Sequence, residues 1–118
     1  MSKPAQTKQA QGVLLVDDDA GFLEEARRTL HSQGITNITT LQDSSKVFQE
    51  LSEGAHSVLI LDWVMPGLSG ADLLPEIVRQ YPYLPVIILT GVADLENVVN
   101  CIKQGAYDYI TKPVRTRS

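Results

Sequence analysis

The 118-residue sequence contains a single cysteine, so it cannot form an internal disulfide. Basic residues are fewer than acidic ones, 10 against 14, and the net charge is -4. Binding to nucleic acid by this domain alone is therefore not expected, because neutralising phosphates needs a basic face. No apolar run approaches the roughly 20 residues of a membrane span. The first residues, MSKPAQTKQAQ, lack the hydrophobic segment of a secretory signal. These absences predict a cytoplasmic domain without membrane contact.

What the sequence does contain is enough apolar material for one globular domain. Hydrophobic residues make up 43% of the chain, and a domain of this size buries roughly two-thirds of the surface of its unfolded chain. Residues 1–11 are the exception, because they show no apolar periodicity and are rich in Lys, Gln and Ala. We predict a mobile leader over residues 1–11 and a folded domain over residues 12–118.

Short apolar runs alternate with amphipathic stretches throughout that domain. Runs of about four apolar residues bounded by turn residues are typical of strands buried on both faces. The predicted strands are 13–16, 35–41, 58–61, 86–89 and 107–110. The predicted helices are about 20–33, 44–54, 71–81 and 94–104, with Asp19 capping the start of the first and Gly34 its end. This alternation predicts a doubly wound α/β fold with a five-stranded parallel sheet. Residues 114–118 leave only about one helical turn, so the final helix is expected to be missing or truncated.

Polar and charged side chains follow four of these strands. Asp17 and Asp18 come after the first strand, Asp62 after the third, Thr90 after the fourth and Lys112 after the fifth. Because the carboxyl ends of parallel strands share one edge of a sheet, we expect these side chains to converge. Three neighbouring carboxylates repel one another unless a cation lies between them, and Mg²⁺ prefers oxygen ligands. The cluster therefore predicts a Mg²⁺ site beside a site for a phosphate-type ligand.

Each of these residues also has a purely structural interpretation. The three aspartates 17–19 could serve only as a helix cap with favourable dipole interactions, Thr90 could be an ordinary strand end, and Lys112 could be solvated. A turn alone, however, does not need an acid directly after the apolar run that precedes Asp62. The agreement among four strand ends favours the site.

Four motifs occur in order at these strand ends: VDDD (16–19), LDWVMPGLSG (61–70), LTG (89–91) and YITKP (109–113). In this combination, the sequence from Gly12 to Pro113 resembles the receiver domain of two-component response regulators. The resemblance implies a flavodoxin-like strand order, 2-1-3-4-5. It also implies a phosphorylation-controlled signalling switch, whose only self-catalysed reactions are phosphotransfer and autodephosphorylation. The implied partners are a sensor histidine kinase or phosphotransfer protein and a downstream effector domain, as in a transcriptional regulator.

The resemblance further implies a role for each residue of the cluster. Asp62 matches the phosphoacceptor and is also a metal ligand. Asp18 matches a direct metal ligand, Asp17 one that acts largely through water, and Val64 one that offers its backbone carbonyl. Thr90 would donate a hydrogen bond to a phosphoryl oxygen.

Two features at the end of the fifth strand complete the match. Lys112 would pair with another phosphoryl oxygen, and its bond to Pro113 corresponds to one that is cis in the family. Tyr109 matches the switch aromatic that turns inward when Thr90 is drawn to the phosphate. Tyr107 competes for that role, but the spacing from Lys112 favours Tyr109.

Other functional classes fit the sequence less well. A non-phosphorylated pseudo-receiver, acting only in protein association, is the main alternative, although every expected site residue is present. An aspartate-nucleophile hydrolase needs an acid where Val64 stands, and no Gly-rich loop follows the first strand to bind a nucleotide. The apolar Val64 and Val92 cannot orient a water, which predicts slow autodephosphorylation. Without a final helix, apolar surface beside the last strand should remain exposed, and a homodimer is a possible consequence.

Overall fold

The structure, a computed structural model, describes residues 12–91 and 95–112. The expected leader, Val92, the Lys112–Pro113 bond and the last turn at residues 114–118 lie outside these ranges. Within them, no helix is long and apolar enough to cross a membrane.

The described residues form five strands and four α-helices in strict alternation. The strands are β1 (Gly12–Val16), β2 (Ile38–Leu41), β3 (His56–Asp62), β4 (Val86–Thr90) and β5 (Asp108–Thr111). The helices are α1 (Ala20–Ser32), α2 (Val47–Glu53), α3 (Gly70–Gln80) and α4 (Leu95–Lys103), and a short 3₁₀ helix (Ser44–Lys46) precedes α2. All neighbouring strands are parallel, in the order β2-β1-β3-β4-β5. The predicted doubly wound fold and strand order are confirmed.

Both predicted caps of α1 are present. The Asp19 side chain accepts hydrogen bonds from the backbone N–H groups of Gly21 and Phe22, at 2.9 and 3.2 Å. At the other end Gly34 has a φ of 94°, a conformation that costs little only without a Cβ. The Ile35 N–H donates to the Leu30 carbonyl at 3.0 Å. This closing turn uses Ile35, so β2 begins at Ile38 rather than at residue 35 as predicted.

The start of helix α3 packs directly against the end of β3. Ser69 and Asp72 form a capping box at its start, which satisfies two of the free N–H groups there. Pro75 lies inside the helix, where it removes one backbone hydrogen bond. At Gly70 a Cβ would lie 2.5 Å from the Asp62 carbonyl oxygen. Only glycine lets the helix start pass so close to the end of β3.

The core has two layers because successive strand residues point to opposite faces of the sheet. Leu14 and Val16 face α2, α3 and α4, in a large cluster that includes Leu59 and Leu61. Leu15 faces the other way. That second cluster is smaller and packs against α1; its further members are Leu23, Leu89, Phe22, Ala26 and Ile60. One face of the sheet is therefore covered by three helices and the other, among the described residues, by α1.

An apolar groove lies beside α1 on the less covered face. It has a volume of about 210 Å³, and its lining includes Phe22, Ala26, Ile60, Leu89 and Ile110. Ile110 is 48% exposed. The exposed apolar surface expected beside the last strand is present among the described residues. Its coverage by a second copy of the chain stays a prediction.

Candidate functional site

The predicted acidic cluster forms at the carboxyl edge of the sheet. Asp17 directly follows β1 and Asp62 is the last residue of β3. Asp17 is fully buried and Asp62 is 3% exposed, whereas Asp18 is exposed. Carboxylate oxygens of the three residues lie within 4.8 Å of one another. The structure therefore brings together all three acids that the sequence placed at this edge.

Lys112 reaches into this cluster from the end of β5. Its Nζ lies 2.8 Å from Asp17 Oδ2 and 3.3 Å from Asp62 Oδ2. The backbone delivers the side chain, because the Lys112 N–H donates to the Thr90 carbonyl at 2.7 Å and so extends the β4–β5 pairing. The ammonium also lies 4.8 Å from the ring centroid of Phe22. One cation thus joins two buried carboxylates.

The electrostatics follow from burial and from these contacts. Burial raises the pKa of Asp62 to about 6, and the negative charge of Asp17 adds to the rise; the ammonium of Lys112 opposes both. Burial disfavours the charged form of Lys112, but its two carboxylate partners outweigh that effect and raise the pKa. The site therefore holds more negative charge than its single lysine compensates.

The donor atoms of this cluster suit a divalent cation with a preference for oxygen. Asp17 Oδ1 accepts a hydrogen bond from the Asp19 N–H at 2.9 Å. Asp17 Oδ2 is buried without a well-aligned hydrogen-bond donor, so its partner is the charge of the Lys112 ammonium. Asp18 keeps an exposed side chain, and Val64 is 75% exposed beside the end of β3. Clustered carboxylates and an open side are the expected environment of Mg²⁺.

Thr90 and Tyr109 occupy the neighbouring strand ends. Thr90 is the last residue of β4 and is 8% exposed. Tyr109, on β5, is 40% exposed, and its side chain borders a small cavity that Thr90, Trp63 and Cys101 also line. Tyr107 precedes β5 and is 73% exposed. This arrangement favours Tyr109 over Tyr107 as the aromatic beside Thr90, while its switching role stays a prediction.

Two residues near the site were not singled out from the sequence. Phe22 lies on the predicted first helix, and its ring lies beside the Lys112 ammonium. Gly70 is the last residue of the third-strand motif, and its missing Cβ leaves room for the backbone of Asp62. An aromatic residue in the first turn of the helix that follows the acidic pair is the signal that could have indicated Phe22.

Comparison with known proteins agrees with this geometry. Residues 13–118 match the family described as the response regulator receiver domain. The chain is 40% identical over 101 residues to the DNA-binding transcriptional regulator NtrC of Escherichia coli K12, covering 86% of this chain and 21% of that protein. It is 35% identical over 104 residues to the C4-dicarboxylate transport transcriptional regulatory protein DctD of Rhizobium meliloti, covering 88% and 22%. The chain thus spans about a fifth of the length of these relatives.

Solved structures show the same fold. The receiver domain of the Francisella response regulator 1452 superposes with a TM-score of 0.80 at 31% identity, covering 89% of this chain and 86% of that one. A CheY-like receiver domain protein from Methanospirillum hungatei JF-1 gives a TM-score of 0.79 at 28% identity, covering 89% and 83%. The fold, the ordered motifs and these similarities together show that the chain belongs to the family of response regulator receiver domains.

Proposed function

We propose that this receiver domain works as a phosphorylation-controlled switch in which Asp62 accepts the phosphoryl group. Receiver domains are signalling switches rather than conventional enzymes. The observation that carries the proposal is the position of the Asp62 carboxylate at the end of β3, where the Lys112 ammonium bridges it to the Asp17 carboxylate. The expected donor is the phosphohistidine of a sensor histidine kinase or phosphotransfer protein.

The proposed reaction needs no general base. A carboxylate oxygen of Asp62 attacks the phosphorus, and the bond from phosphorus to the donor nitrogen breaks, with its electron pair going to that nitrogen. The product is an acyl phosphate. Because the pKa of Asp62 is about 6, its side chain is ionised in most molecules at neutral pH. The resulting carboxylate is a competent nucleophile.

Charge on the transferring phosphoryl oxygens needs stabilisation. Lys112 is placed to provide part of it, because its ammonium already lies 3.3 Å from Asp62 Oδ2. Thr90, at the end of the adjacent strand, is proposed to donate a hydrogen bond to another oxygen. Mg²⁺, held by the three carboxylates and the Val64 carbonyl, would supply the remaining positive charge.

The output of the switch is proposed to pass through Thr90 and Tyr109. Movement of Thr90 toward the phosphoryl group would open space on the side where Tyr109 borders the small cavity. NtrC and DctD are transcriptional regulators by name, and the chain spans about a fifth of each. We therefore propose a transcriptional effector domain as the downstream partner.

The direct test is labelling of the isolated domain with acetyl phosphate or phosphoramidate in the presence of Mg²⁺, followed by intact-mass spectrometry. One phosphoryl group should appear on the wild-type chain and none on Asp62→Asn. Asp108→Asn is a matched control, since Asp108 is exposed and outside the site, and it should be labelled normally. Labelling of Asp62→Asn would refute the phosphoacceptor assignment. No labelling of the wild type would favour the pseudo-receiver, a module for protein association.

A further inference from the structure

We propose that Phe22 is a positioning residue for phosphoryl transfer, because its ring holds the Lys112 ammonium at the edge of the site. This inference rests on the proposed function, since the reaction it serves is phosphorylation of Asp62. The sequence motifs that define the site do not include Phe22.

The contact has the geometry of a cation–π interaction. Lys112 Nζ lies 4.8 Å from the centroid of the Phe22 ring, inside the limit of about 6 Å for this attraction. The same Nζ lies 2.8 Å from Asp17 Oδ2. The ammonium is therefore held between an aromatic ring and the acidic cluster.

The ring itself is firmly placed. Phe22 lies in the first turn of α1, and its backbone N–H donates to the capping Asp19 carboxylate at 3.2 Å. Its side chain is half-buried and packs against the cluster of Leu15, Leu23 and Leu89. A ring fixed by both a helix cap and a core cluster can orient a flexible neighbour.

The reaction gives this contact its importance. Phosphorylation converts the Asp62 carboxylate into an acyl phosphate, and Mg²⁺ bound at Asp17 would compete with the ammonium for that second carboxylate. Of the three partners described for this ammonium, the ring alone is neither phosphorylated nor a proposed metal ligand. Fixing a lysine side chain costs conformational entropy, because the side chain loses much rotamer freedom. A neutral ring that holds the ammonium before the reaction lowers the entropy cost at the moment of phosphoryl transfer.

A plain packing role makes a different prediction. If Phe22 only fills space against Leu15 and Leu89, then leucine at position 22 should serve almost as well as phenylalanine. If the electron-rich ring face matters, tyrosine should replace phenylalanine and leucine should not.

The experiment compares initial rates of labelling by phosphoramidate at saturating Mg²⁺. Phe22→Leu should lower the rate about threefold to tenfold, the size expected for one cation–π contact. Phe22→Tyr should stay within about twofold of the wild type. Phe48→Leu is the matched control, because Phe48 is half-buried on the opposite face of the sheet, and its labelling rate should not change.

A second readout does not depend on the reaction. Phe22→Leu, Lys112→Met and the double variant form a mutant cycle for the free energy of unfolding, measured in EDTA. The double variant should lose less stability than the two single losses combined, because each removes the same contact.

The outcomes separate the two proposals. If Phe22→Leu is labelled as fast as the wild type, or if the stability losses in the cycle are additive, the role of Phe22 is overturned. Labelling of the wild type in the same experiment would still support the proposed phosphorylation switch. A wild-type chain that no donor labels overturns both.

Discussion

Replacing Asp62 by asparagine should stabilise the metal-free protein at neutral pH, although it removes the proposed reactive group. Asp62 is 3% exposed and its negative charge lies beside that of Asp17. Its pKa rises from 3.8 to about 6, mainly through burial, and each pKa unit corresponds to about 1.4 kcal/mol. Ionising this carboxyl in the folded protein therefore costs up to about 3 kcal/mol. Asparagine keeps the shape without the charge, so we expect the free energy of unfolding to increase by about 1–3 kcal/mol.

The pH dependence has a definite sign. An acid whose pKa is higher in the folded than in the unfolded protein holds more protons when folded, between about pH 4 and pH 6. The contribution of Asp62 to stability therefore falls as the pH rises through that window. The advantage of Asp62→Asn should be near zero below pH 4 and complete above about pH 6.

Urea unfolding followed by circular dichroism in EDTA, from pH 4 to pH 7.5, measures this difference. Asp108→Asn again serves as control, because it removes an exposed carboxylate outside the site and should shift stability little. Added Mg²⁺ should stabilise the wild type more than Asp62→Asn, since a ligand of the folded state raises its stability. A less stable Asp62→Asn at pH 7 in EDTA would refute the reasoning, because it would mean that the contact with Lys112 outweighs burial and repulsion.

Three further predictions concern the surroundings of the phosphoacceptor. Lys112→Ala should lower the free energy of unfolding by about 3 kcal/mol, because it leaves the buried Asp17 carboxylate without its ion-pair partner; unchanged urea unfolding would contradict this. Gly70→Ala should cost at least about 1–3 kcal/mol, because the added Cβ would meet a backbone oxygen at 2.5 Å. Gly91→Ala is the matched control, with open space around its Cβ, and equal melting temperatures for the two variants would count against the steric reason. The acyl phosphate should be long-lived, since Val64 is apolar and 75% exposed and cannot orient a water; a half-life of seconds at room temperature, measured by loss of the label, would show otherwise.

The sequence was sufficient for the order of elements because strand and helix periodicities differ so clearly. Asp19 and Gly34 were also predictable, since few residue types satisfy a helix end. The start of β2 was not predictable, because Ile35 belongs to the turn after α1, where its N–H donates a hydrogen bond to the Leu30 carbonyl. Such a bond depends on the backbone conformation at the helix end, and the hydrophobic periodicity of the sequence carries no information about that conformation.

For the site, chemistry was easier to predict than geometry. The convergence of Asp17, Asp62 and Lys112 follows from parallel strands that end at a common edge. The pairing of one ammonium with both carboxylates does not, because it depends on side-chain rotamers. The role of Phe22 was not predictable for a related reason. An apolar residue in an amphipathic helix is expected to pack in the core, and the contact of its ring with the Lys112 ammonium depends on the three-dimensional position of Lys112.

The position of Lys112 also changes what a metal titration measures. The acidic cluster already contains its own cation, with the ammonium 2.8 Å from the buried oxygen of Asp17. Binding of Mg²⁺ to the same carboxylates is then an exchange of one positive charge for another rather than the filling of a vacant, fully anionic site. Its apparent affinity reports the difference between two competing interactions. A variant without the ammonium should therefore bind Mg²⁺ more tightly but accept the phosphoryl group more slowly. Its affinity for Mg²⁺ and its rate of phosphorylation would change in opposite directions.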